Sequence, residues 1–181
     1  SVIGNIFRET GEYESERIVA SSGSEEKVEL TFDFAGFSEL EVAGAWTINI
    51  KQGDTYSVTV HCPERIKDHV GVKQRGERLY FEDAFRFARW KSGSISADIT
   101  MPSVKKYEVD GAASVYISGF QEERLKIEIN GASSMKGENN VFEHLSIELN
   151  GAGHVDFGGT EAGDADVDID GVGSVTLSIT G

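Results

Sequence analysis

The chain carries at residues 109–115 the phrase Val109-Asp-Gly-Ala-Ala-Ser-Val115, and it repeats that phrase three times downstream. The copies are Ile129-Asn-Gly-Ala-Ser-Ser-Met135, Leu149-Asn-Gly-Ala-Gly-His-Val155 and Ile169-Asp-Gly-Val-Gly-Ser-Val175. The glycines of successive copies are twenty residues apart. A fixed period of this kind is typical of stacked equivalent units rather than of an ordinary globular chain.

An alternating pattern precedes each phrase. Leu125, Ile127 and Ile129 are apolar, whereas the residues between them are charged. That alternation predicts a strand with one buried face. The Asn-Gly or Asp-Gly pair after it predicts a sharp bend, because glycine adopts positive φ and a short polar side chain bonds the local backbone. The predicted corner residues of the repeat are Asp110, Gly111, Asn130, Gly131, Asn150, Gly151, Asp170 and Gly171.

Twenty residues at about 3.3 Å each give a perimeter of roughly 66 Å, which suits one three-sided coil. Parallel stacking of such coils would place residues one period apart side by side. The small residue after each glycine is expected to resume the inward face. We expect three interior ladders, formed by Tyr107, Ile127, Ile147 and Val167, by Val109, Ile129, Leu149 and Ile169, and by Val115, Met135, Val155 and Val175.

We therefore predict an all-β fold with a parallel β-helix-like stack of twenty-residue coils over about residues 103–181. Residues 28–102 are predicted to form a mixed or antiparallel β region that caps the stack, since terminal repeats need a closing element. Two hairpins are expected there, the first turning at Gly53-Asp54 and the second at Gly76. Residues 28–181 would form one continuous domain.

Two earlier segments complete the organisation of the chain. Residues 1–27 are polar and acidic and are expected to form an N-terminal arm, with one strand near Arg17. The piece Val42-Ala-Gly-Ala-Trp-Thr-Ile48 echoes the repeated phrase, with Gly44 in the place of the glycine. It is interpreted as an early, imperfect coil.

The composition of the 181 residues limits partners and compartment. A formal net charge of −14 at pH 7 argues against a nucleic acid partner. A single cysteine, Cys62, excludes an internal disulfide framework. No apolar run approaches the roughly 18 residues of a membrane span. The chain starts at Ser1 rather than at methionine, from which we expect that a signal sequence or an expression tag was removed.

Membrane contact is expected only through a removed signal or a lipid anchor. The strand pattern continues to Thr180, so the last strand is expected either to pair with something along its exposed edge or to be followed by residues that the sequence lacks. Homo-oligomerisation through this edge stays open.

Four motifs, in this order, carry a family resemblance: Phe37-Ser-Glu-Leu-Glu-Val-Ala-Gly44, Ile50-Lys-Gln-Gly-Asp54, Ile99-Thr-Met-Pro102 and the repeated Asp/Asn-Gly phrases. Over roughly residues 30–181 they resemble the bacterial domain of unknown function called the putative auto-transporter adhesin head GIN domain. The resemblance implies a β-helical fold, an envelope location behind a signal peptide or lipoprotein signal, and adhesin-like roles. It brings no catalytic residues. The chain departs from the family's usual Ser-Gly-Ala by having Asp or Asn before the glycine.

Two acidic patterns suggest chemistry, and each has a plainer interpretation. Asp166-Val-Asp-Ile-Asp-Gly171 resembles the start of a calcium loop, but the closing glutamate would fall at Leu177, so a solvated acidic strand explains it. A column of outward carboxylates about 5 Å apart has the spacing of a retaining glycosidase pair. Such a pair needs two different environments, which an even column does not offer. The column consists of Glu108, Glu128, Glu148 and Asp168.

One segment mixes aromatic and cationic side chains, which can stack on sugar rings or hold anionic headgroups. Its plainer interpretation is a strand with the phenylalanines inside and the arginines in water. The candidate ligand-binding residues are Phe85, Arg86, Phe87, Arg89 and Trp90. His61 and Cys62 are neighbours on a strand and point to opposite faces, so they cannot share a metal. We predict no metal site, no cofactor and no catalytic residue.

The sequence therefore favours a non-enzymatic bacterial envelope, cell-surface or secreted protein. Its rigid β scaffold would present a surface for binding or adhesion to a glycan or to a surface protein. Two alternatives stay open. One is a carbohydrate-active enzyme on the same scaffold, and the other is a lipid- or headgroup-binding module that uses the aromatic and cationic segment.

Overall fold

The computed structural model describes residues 3–8, 11–19, 26–83 and 95–181, and it describes the first two of these ranges by their backbone alone. This part of the chain is all-β, with one short 3-10 helix at Glu64–His69. The strands are β1 (Ile3–Arg8), β2 (Gly11–Val19), β3 (Lys27–Phe32), β4 (Glu39–Gln52), β5 (Ser57–Pro63), β6 (Val70–Arg75), β7 (Arg78–Asp83), β8 (Ser96–Met101), β9 (Lys106–Ser118) and β10 (Gln121–Ile179).

The strands form one curled, mixed sheet. Along one path the order is β1-β2-β3-β5-β8-β4-β7-β6, while β9 pairs with β4 and β10 pairs with β9. The strand β4 is central, because its first half pairs with β7, its second half with β8 and nearly its whole length with β9. These three pairings and the β9–β10 pairing are parallel, whereas the other pairings are antiparallel.

The first predicted hairpin is wrong. The strands on either side of Gly53-Asp54, β4 and β5, do not pair with each other, because β8 lies between them. The sequence signal describes only the turn, whereas the neighbour of β4 is set by where the apolar side chains of β8 can be buried. Ala97, Ile99 and Met101 of β8 are all buried. The second hairpin, β6 to β7, is present and turns at Gly76.

Residues 1–27 contain more structure than the expected arm. The strands β1 and β2 pair antiparallel, and β2 also pairs with β3. The acidic residues that suggested a solvated arm alternate with other residues in the sequence, which is the pattern of a strand with one charged face. The segment therefore extends the sheet by two strands.

Three strand segments lie in parallel register along the sheet. Glu39 pairs with Lys106, and Lys106 pairs with Lys126. We call the equivalent segments rungs, with rung 1 at residues 39–51, rung 2 at 106–118, rung 3 at 126–138, rung 4 at 146–158 and rung 5 at 166–178. The register places Gly44 opposite Gly111, so the early imperfect phrase belongs to the same series as the repeats.

The strand β10 contains rungs 3 to 5 and bends on itself. Its 59 residues would reach roughly 195 Å if straight. Side chains twenty residues apart instead touch, as when Asn150 Nδ2 donates to Asn130 Oδ1 over 3.2 Å. At another bend the buried Asn140 accepts a hydrogen bond from the Phe120 amide and donates to the Thr160 hydroxyl, both over 3.0 Å. Residues one period apart are therefore neighbours at two different corners.

The core follows the predicted ladders for most of their length. Tyr107 and Val109 of rung 2 are buried, and so are their equivalents Ile127, Ile129, Ile147 and Leu149 in rungs 3 and 4. Rung 5 differs, because Val167 and Ile169 are exposed. The expectation that the alanine after the glycine faces inward is wrong. The bend takes up one residue, so Ala112 is exposed and the following Ala113 is buried.

Candidate functional site

A groove of about 330 Å³ is lined by residues that follow the corner glycines. Equivalent residues of rungs 1 to 4 line it in succession. The lining residues are Trp46, Ala112, Ala113, Ser114, Ala132, Ser133, Ser134 and Ala152. The groove exists because these positions carry only small side chains beyond rung 1.

Trp46 closes the rung 1 end of the groove and is held firmly. Its side chain is 2% exposed, and its indole N–H donates to the Ala43 carbonyl oxygen over 3.1 Å. Its ring also packs edge-on against Phe81, with 5.4 Å between ring centroids. The indole is therefore part of the wall and offers little free face for stacking.

The groove presents methyl groups and hydroxyl groups in alternation. Ser133 is buried and donates its hydroxyl to the Ala113 carbonyl oxygen over 2.9 Å. Ser114 and Ser134 are exposed, so their hydroxyls face solvent. Among the described residues that line the groove, none has an ionisable side chain. Such a surface can bind a ligand by packing and hydrogen bonding, but it supplies no acid or base.

The carboxylate column lies beside a column of cations, not alone. Lys106 Nζ lies 3.3 Å from a Glu108 carboxylate oxygen and 2.9 Å from one of Glu128. Lys126 Nζ lies 2.7 Å from Glu128 and 3.2 Å from Glu148. Each lysine thus joins its own rung to the next one. Arg78 joins rungs 1 and 2 in the same way, because it contacts Glu39 and Glu41 of rung 1 and Glu108 of rung 2.

These ion pairs shift the pKa values of Glu128 and Lys126. Hydrogen bonds from Lys126, and then from Lys106, hold the pKa of Glu128 below its ordinary value. The hydrogen bond to Glu128, and then that to Glu148, raises the pKa of Lys126. A glycosidase requires one carboxyl group with a raised pKa as general acid. The column has the electrostatics of a structural charge network.

Histidines take part in two further polar contacts. His61 lies 3.1 Å from an Asp98 carboxylate oxygen, and Asn49 donates to the same carboxylate over 3.0 Å. His144 lies between Asp164, with which it is in contact, and Asp166 at 3.4 Å. Within residues 26–83 and 95–181, no group of three or more His, Cys, Asp or Glu side chains could hold a metal ion.

Some of the predicted site residues lie within the described part of the chain and others do not. Phe85, Arg86, Phe87, Arg89 and Trp90 lie outside the described residues, so that segment stays a prediction. The four corner glycines have positive φ, and each lies beside the preceding one. The groove was missed at the sequence level. Its signal was visible, since the alanines after the glycines recur every twenty residues and Trp46 stands in the early imperfect phrase.

The described part of the chain is thus all-β, with a groove lined by equivalent residues of rungs 1 to 4. The chain belongs to the family described as "Putative auto-transporter adhesin, head GIN domain", whose model matches residues 36–178. The family resemblance found in the sequence is therefore confirmed. No curated protein matches the chain.

Solved structures share this fold at low sequence identity. A putative adhesin from Bacteroides fragilis has a TM-score of 0.66 and 14% identity, over 85% of this chain and 81% of that one. A putative lipid binding protein from Parabacteroides distasonis has a TM-score of 0.53 and 12% identity, over 86% and 97%. A putative adhesin from Parabacteroides merdae has a TM-score of 0.52 and 12% identity, over 90% and 99%. At these identities the likeness shows the fold alone.

Among the described residues, no helix is long and apolar enough to cross a membrane.

Proposed function

We propose that this chain is a non-enzymatic protein of the bacterial cell envelope or surface, and that its groove binds a glycan chain. The repeats would wind into a parallel β-helix-like stack of twenty-residue coils, so that the groove runs along a rigid scaffold. A surface protein segment in the same groove is the alternative ligand that the experiment below distinguishes.

The contacts between residues one period apart support the coil stack. Rungs 1 to 3 are parallel and in register. Asn130 and Asn150 are hydrogen-bonded across rungs 3 and 4, and His154 Nδ1 lies 2.5 Å from the Ser174 hydroxyl across rungs 4 and 5. A ladder of this kind is rigid because each rung is held along its backbone by its neighbours.

The groove carries the functional part of the proposal. Its volume of about 330 Å³ lies at the lower end of the range for ligand pockets. Sugars present both hydroxyl groups and apolar ring faces, and the groove offers exposed serine hydroxyls next to alanine methyls. Equivalent positions recur at about 4.8 Å from rung to rung, so a polymer could make the same contact repeatedly. Several weak contacts made at once by the same polymer give a higher overall affinity than any one of them.

The envelope location rests on the family description and on the names of two structural neighbours as putative adhesins. We propose that a signal sequence or a lipid anchor directs the chain there. A carbohydrate-active enzyme is disfavoured by the ion-paired state of Glu128, whose lowered pKa opposes the role of a general acid.

A glycan array with two matched variants tests the proposal. Ala132→Phe would fill the groove at its centre, whereas Ala35→Phe makes the same change at an exposed site elsewhere. We expect the wild-type protein and Ala35→Phe to bind the same glycans. Ala132→Phe should lose at least about tenfold in affinity, or about 1.4 kcal/mol.

Three results would contradict the proposal. Equal binding by all three proteins would place the site away from the groove. Cleavage of a bound polysaccharide would make the protein an enzyme. Failure to bind any glycan, combined with groove-dependent binding of a surface protein, would favour the alternative ligand.

A further inference from the structure

Tyr116 presents its aromatic ring on the outer face of rung 2. The residue is partly exposed, whereas its strand neighbours Val115 and Ile117 are buried. Within residues 26–83 and 95–181, no other aromatic ring packs against Tyr116 and no cation lies over its ring. The ring is therefore available to a ligand.

The other aromatic rings at the surface of the described residues already have such a contact. Each packs against a neighbouring ring or lies under cationic side chains, so that part of the ring is covered. The contacts join Phe34 to Phe32, Tyr56 to Phe37, and Tyr80 to Lys73 and Arg75. Tyr116 differs from these residues because it has neither kind of contact.

Neighbouring polar groups hold Tyr116 in place. Its hydroxyl donates to a Glu138 carboxylate oxygen over 2.9 Å, and Lys136 Nζ lies 2.7 Å from the same carboxylate. In the parallel register, Asn49 pairs with Tyr116 on one side and Lys136 pairs with it on the other. The Asn49 amide is itself fixed, because it donates to Asp98 over 3.0 Å. A ring held between two hydrogen-bonding side chains loses little conformational entropy when a ligand binds.

Tyr116 lies directly beside the groove. Ser114, which lines the groove, is two residues earlier on the same face of the strand, at a distance of roughly 6.6 Å. Equivalent residues of four rungs line the groove, so its long axis runs from rung to rung, whereas Ser114 and Tyr116 follow each other along one rung. A polymer that lies along the groove would therefore reach Tyr116 with a side branch rather than with its main chain.

The charges around Tyr116 balance one another. Lys136 and Lys51 lie on the two neighbouring strands, and Asp98 and Glu138 supply two carboxylates beside them. Among the described residues that line the groove, none adds a charge, and the whole chain carries a formal charge of −14 at pH 7. An anionic polymer would be repelled by the chain as a whole and would find no excess of cations here. The surface therefore suits an uncharged ligand.

We propose that Tyr116 binds a side-branch sugar of an uncharged glycan whose main chain lies in the groove. The apolar face of the sugar ring would pack on the Tyr116 ring, and the sugar hydroxyls would bond Asn49 and Lys136. This inference rests on the proposed function, because the main chain has to lie in the groove. It adds the class of glycan, which is branched and neutral.

Oligosaccharides that share a main chain but differ in branching are suitable probes. Xyloglucan oligosaccharides are compared with cello-oligosaccharides, and galactosylated manno-oligosaccharides with linear ones, while heparin and oligogalacturonate serve as charged probes. We expect the wild-type protein to bind the branched member of at least one pair at least about tenfold more tightly than the linear member. The charged probes should bind more weakly than that branched glycan.

Protein variants assign the preference to the ring. Tyr116→Leu should lose the preference for the branched glycan and keep its affinity for the linear one, which also shows that the variant is folded. Tyr116→Phe retains the ring and should retain most of the preference. Tyr80→Leu is the matched control, because Tyr80 is also partly exposed but lies on β7, which pairs with the part of β4 that precedes Gly44. That variant should bind both glycans as the wild type does.

The outcomes separate this inference from the proposed function. Equal wild-type binding of branched and linear glycans, an unchanged preference in Tyr116→Leu, or tighter binding of a charged probe overturns the inference and leaves glycan binding in the groove intact. Ala132→Phe should weaken binding of branched and linear glycans alike, because it excludes the main chain. If Ala132→Phe binds as the wild type does, or if no glycan binds, the proposed function fails and this inference fails with it.

Discussion

Gly111 lies against Gly44 so closely that a Cβ atom on Gly111 would stand 2.5 Å from the Gly44 carbonyl oxygen. Gly111 also has φ +149, a conformation that residues with a side chain rarely adopt. The two glycines belong to rungs 1 and 2, which are 67 residues apart in the sequence at this point. Their contact joins the N-terminal strands to the repeats, and glycine is the residue that permits it.

Gly111→Ala is therefore expected to destabilise the protein severely. The added methyl group meets backbone atoms that cannot move without separating two rungs, and it also forces a strained φ. We expect a loss of at least about 3 kcal/mol, measured by urea unfolding. Gly36→Ala is the matched control, because Gly36 has φ +75 but open space around it. It should cost only about 1 kcal/mol. Equal effects of the two changes would contradict the close packing of the rungs.

Tyr107 offers a stabilising change. It is completely buried, its hydroxyl has no hydrogen-bond partner among the described residues, and burial raises its pKa. An unsatisfied buried hydroxyl costs free energy, so Tyr107→Phe should raise the free energy of unfolding by about 1 kcal/mol. Tyr116→Phe is the control, since the Tyr116 hydroxyl donates to Glu138 over 2.9 Å. That variant should be neutral or slightly less stable. A Tyr107→Phe protein that unfolds at lower urea would show that the hydroxyl is satisfied.

Glu128 should make stability depend on pH in a defined direction. Its pKa in the folded protein is lowered by Lys126 and Lys106. The stabilisation is therefore present above the pKa of about 4.3 in the unfolded chain, and it is lost as pH falls through the folded value. Glu128→Gln should cost about 1 kcal/mol at pH 7. This difference from wild type should shrink as pH falls below about 4.3 and should vanish only below the lowered pKa of Glu128 in the folded protein.

The exposed Glu143 provides the control for that titration. Glu143→Gln should stay within about 0.5 kcal/mol of wild type throughout the range. A difference between Glu128→Gln and wild type that persists unchanged at low pH would show that the ion pairs are not its source.

The sequence predicted the strands and bends of the repeats well because their signal is local and periodic. The apolar alternation up to Ile129 predicts the buried face of the strand. The Asn130-Gly131 pair that follows predicts the bend. The bend itself was predicted, but its length was not, so Ala112 was assigned to the wrong face. Whether a corner consumes one residue or two depends on backbone geometry, and the residue types around Gly111 are compatible with either.

The N-terminal half was harder to predict because its pairings are set by tertiary packing. The turn at Gly53-Asp54 is a good hairpin signal, yet β8 lies between the two strands that it connects. The groove was also missed, because it depends on Trp46 and Ala132 meeting across 86 positions of sequence. Only the acidic half of the charge network was predicted. The column of carboxylates through Glu128 was identified, but the lysines that pair with it were not.

The coil stack itself is tested most directly by a disulfide between rungs 3 and 4. Ala132 and Ala152 are exposed and one period apart, so parallel stacking would place their Cα atoms about 4.8 Å apart, within disulfide range. Mild oxidation of Ala132→Cys with Ala152→Cys should remove both new thiols in the monomer, as counted by labelling and mass spectrometry, while the buried Cys62 stays reduced. Ala112→Cys with Ala152→Cys, two rungs apart, should not cross-link. Cross-linking of the second pair but not the first, or of neither, would contradict the stack along which the groove is proposed to run.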